Sequence, residues 1–146
     1  MSEFRTISDT MLVAEQIGPA DVARAKDAGV TLIINNRPDG EAPGQPLGSA
    51  IEEAASESGL DYISIPVSAA GFSLPQVDAM SDALSSAKGK VLAFCRSGTR
   101  STFLWSLAQA KQGADFETIE PQATAAGYNI EPIRPTIDML NAGSTD

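Results

Sequence analysis

The chain has 146 residues, 42% of them apolar and 20% charged, which suits one globular domain whose core needs neither disulfides nor metal. Its 19 acids and 10 bases leave a net charge of −9, which argues against nucleic-acid or anionic-membrane binding. There is no histidine and only one cysteine, so Ser-His-Asp and Cys-His catalysis, His-containing metal sites and internal disulfides are excluded.

The N-terminal MSEFRTISDT has no basic region followed by an apolar run, so no signal peptide is expected, and a free thiol suits a reducing cytoplasm. Phe4–Ile7 and Leu12–Ala14 read as short β-like runs. Gly18-Pro19 opens a helix that runs to Ala28 and stops at Gly29. Val30–Ile34 (VTLII) is continuous, apolar and β-branched, the pattern of a strand buried on both faces. A turn-rich loop with three prolines and three glycines follows over Asn35–Gly48, where Asn35 and Asn36 read as turn residues. Next come a helix over Ser49–Ser58 and a strand over Tyr62–Val67, with Pro66 at its end. Ser73 can cap a helix running to Ala87, with Val77, Met80 and Leu84 on one face. Val91–Phe94 is the third clear strand. Helices are expected through Lys111, over Asp115–Ala126 and over Thr136–Leu140, with a frayed tail at 141–146.

Strand–helix alternation of this kind predicts a three-layer α/β domain, a mostly parallel sheet between helices. Ligands of such sheets bind beyond the carboxyl ends of the strands. The loops after Ile34, Val67 and Phe94 leave from that end. The last of them reads Cys95-Arg96-Ser97-Gly98-Thr99-Arg100-Ser101. Successive N–H groups curling around Gly98 can cradle an anion at the start of the next helix, and Arg96 and Arg100 add positive potential. That setting favours a thiolate at Cys95, and the thiolate is the nucleophile. Ser101 can hydrogen-bond the sulfur or cap the helix. A merely structural cysteine would leave Arg96, Gly98 and Arg100 without a purpose. Arg37, after a buried strand at the ligand end, either contacts an anionic substrate or pairs with Asp39 or Glu41 to order its loop. Phe72 can line the pocket or simply pack. Trp105, Leu104, Leu107 and Ala108 read as core, and Glu52, Glu53 and Glu57 as a solvated face.

"FCRSGTRS" resembles the loop shared by cysteine-dependent phosphatases and rhodanese-type sulfurtransferases. With "EQIGPADV", "INNRPDGEAPGQP", "IPV", "LWSLAQA" and "AAGYNI", it is similar to the phosphatase-like domain of the beta-lactamase-hydrolase-like family. The resemblance implies a fold like the dual-specificity phosphatases, with members that are hydrolase-like or are sulfurtransferases partnering persulfide dioxygenases. It also makes Cys95 and Arg100 the catalytic pair and Arg96, Ser97, Gly98, Thr99 and Ser101 the rest of an anion-binding loop.

Two departures bear on the chemistry. Dual-specificity phosphatases carry His-Cys, five residues, then Arg; here Phe94 replaces the histidine and four residues separate Cys95 from Arg100, the rhodanese spacing. The loop after the "IPV" strand, which carries an Asp general acid in those phosphatases, has Ala69 at that position and no carboxylate between Asp61 and Asp78. Sulfur transfer is therefore the leading expectation. Cys95 would take sulfur from a small anionic donor such as thiosulfate or a persulfide and pass it to a thiol such as glutathione or a protein thiol. A phosphatase acting on a phosphate ester through a Cys95 phosphocysteine is the alternative, and a noncatalytic anion-binding domain is the third reading. No cofactor or metal is expected.

Overall fold

The structure, a computed structural model, describes residues 3–68 and 71–144. Five strands form one sheet: β1 (Phe4–Ser8), β2 (Met11–Ala14), β3 (Val30–Asn35), β4 (Asp61–Ser64) and β5 (Lys90–Phe94). Their order is β1-β2-β5-β3-β4, with β1 antiparallel to β2 and every other pair parallel. The helices are α1 (Pro19–Asp27), α2 (Gly48–Glu57), α3 (Leu74–Ser86), α4 (Thr99–Lys111), α5 (Phe116–Ala125) and α6 (Arg134–Ser144). This is the expected three-layer α/β architecture.

The period of two along a strand decides which helices each residue meets. On β5, Leu92 and Phe94 join Val22 and Ala25 of α1 and Ile51 and Ala55 of α2 in one core. Val91 and Ala93 face the other way, into a core built with α3, α4, α5 and α6. Because both faces are covered, the central strands need no polar alternation. The helix α4 is buried almost all round, wedged between α3, α6 and the sheet. Two of its buried hydroxyls are satisfied by backbone carbonyls: Thr102 Oγ1 donates to Gly98 O at 2.9 Å and Ser106 Oγ to Thr102 O at 2.8 Å.

Two elements differ from the sequence expectation. β4 stops at Ser64 rather than Val67, because Pro66 has no N–H to give the ladder. The chain beyond stays alongside β3 all the same, with Ile65 N–H donating to Asn35 O and Val67 N–H to Asn36 O, both at 2.9 Å. β4 is thus an edge strand, as is β1. The last helix begins two residues earlier and extends to Ser144, through part of the tail expected to fray. Asn141 explains the extension, since its Nδ2 donates to Ala110 O at 3.1 Å and Ala114 O at 2.7 Å, where α4 ends. Asn141→Ala is expected to cost about 1–2 kcal/mol in chemical denaturation, the loss of hydrogen bonds to partly buried carbonyls. Among the described residues, no helix is long and apolar enough to cross a membrane.

Candidate active site

The alternation that sends Phe94 towards α1 and α2 turns the next residue, Cys95, to the opposite face, at the start of α4. Cys95 is fully buried. Gly98 N–H donates to its sulfur at 3.1 Å. That geometry needs the chain to reverse within three residues, and Gly98 does so at φ 89°, the left-handed region. There is a second reason for glycine. A Cβ built on Gly98 would lie 2.1 Å from Tyr128 Oη, which packs on the loop and donates to Ser97 O at 3.1 Å. Tyr128 is held in turn by Arg5, whose guanidinium carbon sits 5.6 Å from the ring centroid and whose Nη1 donates to Ala126 O. Burial raises the Tyr128 phenol above its ordinary value, so it stays a donor.

The first N–H groups of α4 have no acceptor within the helix, and Thr99 N–H reaches Ser97 Oγ at 3.5 Å instead. Thr102 N–H is the first to find a helical acceptor, Gly98 O at 2.9 Å. Ser97 and Thr99 join their hydroxyls at 3.0 Å and shape the exposed rim. Arg96 is exposed. Ser101 is fully buried, and its Oγ has no hydrogen-bond partner among the described residues. It neither bonds the sulfur nor caps the helix here.

Arg100 stands over the loop on a fixed mount. Its Nη1 donates to Val67 O at 2.6 Å and to Glu41 Oε2 at 2.8 Å, and its Nη2 to Glu41 Oε1 at 2.8 Å. The paired carboxylate raises the Arg100 pKa further. Glu41 is bound from the other side by Arg37 Nε at 2.9 Å, while Arg37 Nη1 donates to Gln16 Oε1 at 3.1 Å. Of the two readings of Arg37, the pairing with Glu41 is the one realised in this structure. The Arg100 hydrogen bond, followed by that of Arg37, pulls the Glu41 carboxyl down from 4.5 to about 2. Its folded value lies below its unfolded one, so this grouping stabilises the fold fully above pH 4.5 and ceases to as pH falls through about 2. A carboxyl that remains charged to such low pH is no proton donor near neutrality.

A second acid at this end, Asp39, is also committed. Asp39 Oδ1 accepts Gly48 N–H at 2.9 Å, at the start of α2. The position read as the missing general acid, Ala69, lies outside the described residues. Asn35 makes the expected turn, its Oδ1 accepting Arg37 N–H at 2.9 Å. Asn36 is no turn residue: it is buried, its N–H donates to Phe94 O and its Nδ2 to Ile65 O, both at 2.9 Å, which ties the ends of three strands together. Its Oδ1, like Ser101 Oγ, is buried without a partner among the described residues. Phe72 packs, with its ring 6.1 Å from that of Phe103. Trp105 is core, and Glu52, Glu53 and Glu57 are exposed.

Residues 3–112 match the family described as beta-lactamase hydrolase-like protein, phosphatase-like domain. The chain is 37% identical over 107 residues to a beta-lactamase hydrolase-like protein of Agrobacterium fabrum (strain C58), covering 73% of this chain and 25% of that one. It spans 25–29% of the length of the curated relatives it matches. A crystal structure of a candidate phosphatase from Neisseria meningitidis Z2491 superposes with a TM-score of 0.81 at 30% identity, over 93% of this chain and 96% of that one. PTPMT1 superposes with a TM-score of 0.72 at 15% identity, over 98% and 99% of the two chains, a likeness that shows the fold alone.

Proposed function

Because the chain belongs to the phosphatase-like domain family of beta-lactamase hydrolase-like proteins, we propose that it is a cysteine-dependent phosphatase. The observation that supports this most is the Cys95 sulfur, which accepts Gly98 N–H at the start of α4 with Arg100 mounted above it. The Cys95 thiolate attacks phosphorus, an S–P bond forms and the P–O bond to the leaving group breaks. Water then attacks the phosphocysteine, the S–P bond breaks, inorganic phosphate leaves and one proton passes to solvent. The N–H groups of the loop and Arg100 neutralise the oxygens of the transferring group. This reverses the order in which the loop spacing ranks the two chemistries. Four intervening residues still bring a backbone donor to the sulfur, and the frame is that of phosphatases along nearly the whole chain.

Of the carboxyls described at the site, Glu41 is held by two arginines and Asp39 by Gly48 N–H, so neither is free to protonate the leaving oxygen. Without that proton, a step worth about 10²–10⁴-fold, substrates with acidic leaving groups are favoured. Turnover is therefore expected to fall steeply as the pKa of the leaving phenol rises across a series of aryl phosphates, and alkyl phosphates should be poor substrates. Mass spectrometry of the quenched protein should find a phosphoryl group on Cys95, and Cys95→Ser should be inert. A kcat/KM indifferent to the leaving group would mean that an acid is at work.

The four-residue spacing favours a second reading, sulfur transfer. Here the Cys95 thiolate attacks the sulfane sulfur of thiosulfate, an S–S bond forms and sulfite leaves with the electron pair of the broken one. A thiolate acceptor, such as glutathione or a protein thiol, then takes the outer sulfur and releases Cys95; a persulfide dioxygenase is the partner this chemistry suits. Both reactions suit a reducing cytoplasm, where Cys95 stays free. A cyanide-labile gain of one sulfur with no aryl phosphate turnover would select this reading. Neither signal, with oxyanion binding retained, would leave an anion-binding domain.

A further inference from the structure

An arginine side chain carries five N–H donors on one plane, and which edge meets a ligand depends on what holds the rest. In Arg100 three of the five are engaged by protein oxygens, and the Cys95 sulfur also lies close enough to hydrogen-bond the guanidinium. Both hydrogens of Nη1 are used, one on Glu41 Oε2 and one on Val67 O, and one hydrogen of Nη2 goes to Glu41 Oε1. The remaining pair is Nε–H and the second Nη2–H. These two point the same way along one side of the guanidinium, and their separation matches two oxygens of a tetrahedral oxyanion.

Glu41 is itself immobilised. Besides Arg37 on Oε1, its N–H donates to Gln45 Oε1 at 3.0 Å, and Gln45 Nε2 returns to Pro38 O at 2.9 Å. The Arg37 side chain behind it is only 6% exposed. A carboxylate anchored this firmly does more than neutralise charge: it sets the angle of the guanidinium it grips.

We propose that Glu41 is the positioning residue of the site, gripping the outer edge of Arg100 so that the Nε–Nη2 edge faces an oxyanion held at Cys95, with Arg37 as its anchor. This rests on the reading of the Cys95 loop as an oxyanion site and extends that site to the loop before α2. The opposing possibility is that Glu41 merely occupies Arg100 and competes with substrate. The two differ in sign. Removing a negative charge beside an anion site should tighten anion binding on Coulombic grounds alone. Loss of positioning should weaken it.

Titration calorimetry with inorganic phosphate on the full chain, alongside thermal melting, reads that sign. Glu41→Ala is expected to weaken phosphate binding and to lower kcat for an aryl phosphate, each by about tenfold to 10²-fold, since small misplacements cost that much. Glu41→Gln keeps an acceptor and is expected to fall between Ala and the parent, which also covers the case in which the alanine variant does not fold. Arg37→Ala should give a smaller loss of the same sign. Phosphate binding by Glu41→Gln as tight as, or tighter than, that of the parent chain overturns the proposal. If the parent chain itself binds no phosphate, the oxyanion reading fails first and the proposal with it.

Discussion

Arg100→Lys is expected to lower kcat/KM for an aryl phosphate by at least about 10²-fold, the loss typical when one preorganised donor to a developing anion is removed. The reason is geometric rather than a matter of charge. Arg100 serves Val67 O, both oxygens of Glu41 and the ligand at once, because its donors form a rigid fork. A lysine ammonium has three donors on one atom and cannot reach these partners together. Arg96→Lys is the matched comparison, since Arg96 lies in solvent and can add only positive potential. Its effect should be much smaller. Equal losses in the two variants would mean that charge alone is at work and that the fork has no special part.

Gly98→Ala is expected to damage stability and activity together. An L-residue in the left-handed region costs about 1–2 kcal/mol. The new Cβ would also lie 2.1 Å from Tyr128 Oη, so the tyrosine must leave and its bond to Ser97 O breaks. The loop would no longer hold Gly98 N–H on the sulfur of Cys95. A fall in Tm of several degrees and a loss of turnover should appear in the same variant. The Tyr128→Ala background separates the two causes. There the steric conflict is gone, so adding Gly98→Ala should cost only the backbone term, and the two changes should be non-additive. Additive costs would show that Tyr128 does not press on the loop.

Much of this was legible in local sequence. Val30–Ile34 and Val91–Phe94 announce themselves as β-branched or apolar runs, and the arginines and glycine around Cys95 single out the loop. What local patterns do not carry is contact across the chain. Glu41 and Arg100 are 59 residues apart and Tyr128 and Ser97 are 31 apart, and no periodicity links either pair. The signal for Glu41 was present in weak form, as a possible partner for Arg37, but nothing local could extend it to Arg100. Asn36 looks like any turn asparagine until three strand ends converge on it. The length of α6 was hidden in the same way, since Asn141 favours helix only because two carbonyls of the α4 end lie within its reach.

The edge position of β4 bears on how copies of the chain meet. An open strand margin exposes a row of unused N–H and C=O groups that a strand from another molecule can extend. Here that margin is four residues long, begins at the exposed Asp61 and is closed by a proline two residues past its end. An incoming strand would find few rungs, a carboxylate at the first and no N–H at Pro66. Its own chain would bring the same excess of negative charge to the encounter. The short strand, its leading carboxylate, the proline and the shared negative charge all work against a continuous ribbon of copies along this margin.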